Sequence, residues 1–503
     1  MTSDRVSDKL RDSLRDRASD ALSEVASEEE IFRWVQDLYA FGEGERYGYR
    51  MPGTPCDHAA ARYLEGKLRA FGLADVHCEP VPLAVAFPDR WMLTFDGGES
   101  VPCSYVRYAG YTPPGGVTAP LVYVGQGSSA EFEAVDVKGK IVVVDVVADG
   151  SVPAMGSTYF VHDPDGAIAD ERGRAAWPLR NLASSYQEAC RRNAAGWVGV
   201  LTLFGDDTHH YLHWYAQFEL PALTVSSAVG PQLRARARAG ATATLVLTGS
   251  RGQGVGYNVY GLIPGRRSDE FIVLKSHYDG WATNEASGAA VTLATAAALA
   301  APAATPLERS VLVFFRASHF GVGWSLGPDS WHVPRERAAA IYGLRPDWAD
   351  YDCLANQLIP RTVAVNNIEM VGRRYTREGD AWVGLNQPAV RHWGVTGPEG
   401  GANPVLLEAV SQAIVRHGLS ASQVSNFLVG DGWHYARQGV PLVNFISHNV
   451  WQFTHKDTLE TVFKRDLPAA AAAFVDIVRA EDAASTQSLR PAVDVPYSVQ
   501  PGG

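Results

Sequence analysis

The chain has 503 residues, 46% of them hydrophobic and 20% charged, with a formal net charge of −11. That length exceeds what one compact core accommodates, so two or more domains are expected, and the acidic balance argues against nucleic acid as a partner. No apolar run reaches bilayer length, which argues against a membrane-spanning helix, and the charged start MTSDRVSDKLRDSLRDRASD has no apolar centre of a secretory signal.

In chain order, Leu10, Leu14, Ala18 and Leu22 recur at helical spacing and predict a charged amphipathic helix over 1–27. From Glu29 the apolar positions Ile31, Trp34, Val35 and Leu38 continue that period. The stretch 48–73 reads as a turn-rich loop followed by a helix ending at Gly72. Short β-branched runs at 121–124 and 140–147 predict buried strands of a second unit. A helix at 184–195 follows, then strands at 197–203 and 222–226, a helix, and a closing strand at 242–248. About 130 residues of this kind make a domain able to fold alone. Its loop GDDTHHYLHWYAQ sets His209, His210 and His213 among aromatics, and surface decoration and a substrate-covering lid are equally good readings of it.

The third stretch, 254–480, predicts strands at 258–263, 271–276, 310–315, 363–371 and 441–446, with helices at 287–300, 404–417 and 468–480. Strands with few polar positions alternating with helices indicate a mostly parallel sheet covered on both faces. The expected fold class is therefore α/β and doubly wound, with an inserted smaller α/β unit. The predicted organisation is an N-terminal helix at 1–27, a main domain from 28–114 and 251–481, an insert at 115–250 and a tail at 482–503. Five scattered cysteines (Cys56, Cys78, Cys103, Cys190, Cys353) with no C-x-x-C pair argue against a disulfide framework or a thiolate zinc site, and point to a reducing cytoplasm.

In such sheets ligands bind beyond the carboxyl ends of the strands. Those ends carry His277-Tyr278-Asp279, then Asn284-Glu285 before a helix, Ser318-His319, Glu369, His448, and Thr454-His455-Lys456-Asp457. In His-x-Asp the carboxylate can hold the second nitrogen of a metal-ligating imidazole, which is the role expected of Asp279. Trp281, Trp324, Trp331, Trp433 and Trp451 lie near these motifs. Core packing is the better reading for any single one. Collectively they suit a pocket for an apolar or aromatic ligand, and Trp281, Trp324 and Trp433, with His210 and His213, are the candidate substrate contacts.

The order GLIPG, His277-x-Asp279, SerGly opening a helix, VLVFF, NIEMVG and Asp457-Thr-x-Glu460 resembles the M28 (zinc aminopeptidase-like) peptidase domain. GTPCDHAAARYLEGKLRAFGL is similar to that family's first helix region. PLVYVG, DVKGKIVVVD, AAGWVGVL and LPALTVS resemble an inserted protease-associated domain. The resemblance spans roughly residues 28–480 and implies a two-zinc site built from a His, a bridging Asp, a Glu-Glu pair, an Asp and a late His. Here His277 matches the first ligand. The bridging position falls on Asn284, the Glu-Glu pair on Ser318-His319, the single Asp on Glu369, and the late His on Phe453 with His455 two residues on.

Without a bridging carboxylate two divalent ions repel each other with little compensation, so the expectation is one divalent transition metal. His277, His319 and Glu369 are its expected ligands, with zinc the first choice and Fe(II) or Mn(II) the alternatives. Ser318 is too weak a base to replace the family's glutamate. Glu285, His434 and His455 are the candidates for that work, against the plainer readings that Glu285 caps the helix at Ser287 and that the two histidines are core residues. The function expected is a metal-dependent hydrolase of an amide or peptide bond in a small, apolar or aromatic substrate, or in a short peptide. A non-hydrolytic metalloenzyme (a lyase or an oxygen-using iron enzyme) and an inactive binding protein are the competing readings, and homo-oligomerisation is open.

Overall fold

The computed structural model describes residues 26–150, 157–171, 175–179, 181–205, 220–317, 358–397, 400–426, 432, 435–436, 439–447 and 449–491. Residues 1–25 of the predicted N-terminal helix, the histidine loop at 206–219 and residues 492–503 lie outside them.

Helix α1 (Glu28–Ala40) starts where Ser27 Oγ accepts the Glu30 N–H and three glutamates face the positive end of the helix dipole. It buries Ile31, Trp34, Val35 and Leu38, the stripe expected from the period. Helix α2 (Pro55–Ala70) has Thr54 as its N-cap, proline in its first turn and basic residues in its last. Gly72, at φ +76°, follows its end, where a left-handed residue is favoured.

Strand β1 (Ala74–Phe95) then pairs antiparallel with a strand equally long, from Ala74 opposite Leu262 to Phe95 opposite Ala243. That partner runs unbroken over Thr242–Ile263, where the sequence predicts two strands separated by SRGQGVG. The glycines there answer to crowding rather than to a turn. A Cβ on Gly249 would lie 2.4 Å from the Phe87 carbonyl oxygen, and one on Gly254 2.5 Å from a Val85 methyl. The paired ribbon overrides the local turn signal.

The ribbon ties two sets of parallel strands into one sheet. On one side lie β2 (Ser104–Tyr105), β3 (Val117–Tyr123), β4 (Ile141–Val146), β5 (Gly196–Leu201) and β6 (Ala222–Val225), in the order β2-β6-β5-β4-β3; β3 to β6 run parallel and β2 antiparallel. Calling Thr242–Ile263 β7, the other side continues through β9 (Arg309–Arg316), β8 (Arg267–His277), β10 (Thr362–Val371) and β11 (Leu442–Ser447), all mutually parallel. Strands at Arg391–Val395 and Ser422–Ser425 extend this edge. This is the mixed α/β architecture, with a large and mostly parallel sheet flanked by helices, that the strand and helix alternation predicts.

Side-chain alternation gives each face its own core. Ile272, Leu274, Val311, Val313 and Phe315 point to one, while Val273, Leu312 and Phe314 point to the other. Into the first packs helix α3 (Gly288–Ala300), apolar all round and buried over all but its last residue. Beside it lies α4 (Asp466–Ala483). The second strand set builds a separate core around Ile141–Val146, Trp197 and Leu223, and Trp281, Trp451 and Phe453 from the rim of the main sheet pack against it.

Residues 483–491 stay on the body: Thr486–Leu489 is helical, Leu489 is buried, and Asn403 donates to the Ser488 and Leu489 carbonyls. Among the described residues no helix is long and apolar enough to cross a membrane.

One buried acid in this framework sets a pH dependence. Glu481 on α4 accepts a hydrogen bond from Asn366, and burial pushes its carboxyl up to about 8, against the opposing pull of that bond and of Arg309. The folded protein then keeps a proton that the unfolded chain releases, so this group's contribution to stability is full below the unfolded value and is lost as pH rises towards 8. Glu481→Gln keeps the shape and an oxygen for Asn366. It is expected to raise stability by about 1–3 kcal/mol at alkaline pH and to change nothing in acid. Urea unfolding at several pH values checks this; a variant whose stability falls with pH as steeply as the parent's contradicts it.

Candidate active site

The carboxyl ends of β8 and β10 are fixed to each other by buried polar side chains. Lys275 Nζ donates to Asn367 Oδ1 at 2.9 Å, Ser276 Oγ donates to the Ile368 carbonyl at 2.7 Å, and Asn367 Nδ2 donates to Glu369 Oε1 at 2.7 Å. These groups are buried and bonded, as a parallel sheet covered on both sides requires.

His277 ends β8 and is fully buried. The chain then passes Asp279, also fully buried, and enters a π-helical turn, Ala282–Ser287, before α3 begins. π-Turns opening into α-helices are frequent at functional sites. Within it Glu285 takes φ +75°, a left-handed conformation rare for a side chain of its size. This aims its carboxylate inward: Glu285 Oε1 lies 3.8 Å from His277 Nδ1, and neither residue has any exposed side chain. Both Glu285 oxygens are buried without a hydrogen-bond donor among the described residues. Burial, and then the charges of Asp279 and Asp457, push the Glu285 carboxyl well above the ordinary range; Arg50 opposes them and Glu369 adds to them.

Four residues hold this turn. Arg50, wholly buried, donates from Nε to the Tyr278 carbonyl (2.6 Å), from Nη1 to that of Leu38 (2.8 Å) and from Nη2 to that of Trp281 (2.9 Å). Asp457 Oδ1 accepts the Thr283 N–H at 2.9 Å and the Thr461 hydroxyl at 2.7 Å. Ser287 Oγ donates to the Thr283 carbonyl and accepts the Val371 N–H. Gly288 lies so close to β10 that a Cβ would fall 2.1 Å from the Glu369 carbonyl oxygen. The SerGly pair of the sequence is thus the joint that seats the turn on β10.

An aromatic wall borders the turn. Trp281 stacks on Tyr49 with centroids 4.1 Å apart and meets Phe453 edge-on at 6.1 Å, while Trp451 stacks on Phe204 at 5.2 Å. Trp281 is 1% exposed, so it builds the wall rather than offering an open face.

Of the residues singled out in the sequence, the structure brings His277 and Glu285 together and places Asp279 two residues from His277 in the same buried loop. Glu369 is buried on β10, and His455 sits exposed on the turn after Thr454. His319, Trp324, Trp433, His434, His210 and His213 lie outside the described residues, as does the Asn284 side chain. Among the described residues no three His, Cys, Asp or Glu side chains gather as a metal-binding group. Sequence reasoning missed Arg50, and also Asp57, whose carboxyl is raised by burial and then by Asp279. Their signal was weak: an arginine and an aspartate flanking the PGTP turn before an amphipathic helix.

Compared with known proteins, residues 258–322 match the sequence profile of Peptidase family M28. A comparison with curated proteins finds no match. Among solved structures, the chain is similar to an aminopeptidase from Aneurinibacillus sp. strain AM-1, at 19% identity and a TM-score of 0.57, over 96% of this chain and 98% of that one. A zinc aminopeptidase from Bacillus subtilis aligns at 17% identity and 0.61, over 90% and 94%. A peptidase M28 precursor from Shewanella amazonensis SB2B aligns at 16% identity and 0.62, over 98% and 100%.

Proposed function

We propose that this chain, which carries the Peptidase family M28 signature over residues 258–322 on the fold of M28 aminopeptidases, is a metal-dependent hydrolase of peptide or amide bonds. The observation that carries the reading is the His277–Glu285 pair. The Glu285 carboxylate, whose oxygens accept no hydrogen bond from the described residues, is buried 3.8 Å from the equally buried His277 imidazole, with Asp279, Asp457 and Glu369 adding negative charge around it and Arg50 opposing them. Uncompensated buried charge is costly, and a cation is what such a donor set compensates. The residues present therefore fit one divalent ion, zinc first by its taste for imidazole and carboxylate. His277 and Glu285 would hold it, with His319 and Glu369 the remaining candidates, and Asn284 at the family's bridging position favours one ion over two. Bound there, zinc supplies Lewis acidity towards a substrate carbonyl and towards water.

The chain's own residues supply the rest. Arg50 and Asp457 fix the turn so that Glu285 is held in place, and the buried Tyr49–Trp281–Phe453 wall shields the pair from water; the substrate of this reading is small and apolar or aromatic. Among the described residues Cys56, Cys78, Cys103 and Cys190 form no disulfide, which supports a cytoplasmic setting.

Release of leucine or phenylalanine from their p-nitroanilides and from dipeptides tests the proposal. The expected result is hydrolysis that falls by about 100-fold or more after dialysis against a chelator and returns with zinc. Hydrolysis indifferent to the chelator, or none with any of these substrates, would refute it.

A further inference from the structure

Arg107 has no part in the site as described. It is 1% exposed, and its Nε and Nη1 are buried with no acceptor among the described residues. Its guanidinium lies over two rings, 5.4 Å from the centroid of Tyr49 and 5.1 Å from that of Tyr108. Such contacts return less than burying an unpaired charge costs. Tyr108 itself stands at φ +63°, so the backbone presenting Arg107 is held in a conformation that a bulky residue avoids.

The position of this cation gives it meaning. Tyr49, beneath the guanidinium, stacks on Trp281 at 4.1 Å, and Trp281 lies two residues past Asp279 and four before Glu285. Asp279 and Asp57 both feel the charge of Arg107. A planar fork whose Nε and Nη1 are buried with no acceptor among the described residues matches a carboxylate in geometry and in charge.

We propose that Arg107 binds the free carboxylate of a short substrate, so that the protein acts on dipeptides or N-acyl amino acids in preference to substrates lacking that group. This rests on the hydrolase reading for the substrate's identity, but the anion site can be tested without turnover. Calorimetric titration would compare N-acetyl-L-phenylalanine with its amide on the parent protein, Arg107→Gln and Arg107→Lys. The parent is expected to prefer the acid by about 10-fold or more, a preference lost in Arg107→Gln and reduced in Arg107→Lys, with amide binding unchanged. Both variants remove or shorten a buried group whose Nε and Nη1 have no hydrogen bond to lose among the described residues, so they are expected to melt no lower than the parent.

In turnover, Arg107→Gln is expected to lose about 100-fold in kcat/KM on leucyl-phenylalanine, through KM, while keeping its rate on leucine p-nitroanilide. Equal binding of acid and amide by the parent, or an acid preference that survives Arg107→Gln, overturns the proposal. An acid preference that depends on Arg107 in a protein that hydrolyses nothing would uphold the anion site and refute the hydrolase.

Discussion

Arg50→Met is expected to cost about 3–5 kcal/mol of folding stability, among the largest effects a single substitution can have in this chain. The methionine fills similar volume but leaves the carbonyls of Tyr278, Leu38 and Trp281 without their shared donor inside the protein. It also removes a guanidinium that opposes the charges of Asp279 and Asp457 on Glu285. Arg50→Lys retains the charge but has a single nitrogen for three divergent acceptors, and most of the loss is expected to remain. Urea unfolding reads the effect as a lower midpoint at unchanged slope. If Arg50→Met unfolds within about 1 kcal/mol of the parent, the clamp is not what holds the loop.

The second large effect runs in two directions at once. Glu285→Gln is expected to lower kcat by about 1,000-fold or more, because a neutral amide neither compensates a cation nor competes for one. The same change is expected to stabilise the metal-free protein by about 1–3 kcal/mol, since it removes a fully buried carboxylate that accepts no hydrogen bond from the described residues. A purely structural Glu285 would give the opposite stability result. Glu285→Gly separates backbone from side chain: it relieves a φ of +75° and is expected to be as inactive as Glu285→Gln. Kinetics and thermal melts on chelator-treated samples check both halves.

The strand ends were legible because buried parallel strands are near-continuous apolar runs, and the first polar residue after each run marks the rim. His277 and Asp279 were found in that way, and the period of α1 gave its buried stripe. Glu285 was harder. The sequence offers NEASG before an apolar helix, which reads as helix capping, and nothing local announces a π-turn with a left-handed glutamate. Arg50 and Arg107 were invisible for a related reason: each sits against groups far away in sequence, the Tyr278 and Trp281 carbonyls for one and the Tyr49–Trp281 stack for the other.

The ribbon of β1 and β7 was hidden by its own glycines, which the close approach of two strands demands and which a one-dimensional reading takes for turns. The hairpin of Arg373–Glu378 and Ala381–Pro388 escaped because its charged residues alternate with too few apolar ones to suggest strands.

Zinc content after equilibrium dialysis, measured by elemental analysis on the parent protein and on Glu285→Gln, puts the account to its most direct test. About one ion per chain in the parent, falling below roughly a tenth of that in the variant, is the result expected of a cation seated between an imidazole and a carboxylate. A parent that holds no ion, or a variant that holds as much as the parent, would show that the buried acid at 285 serves some other end.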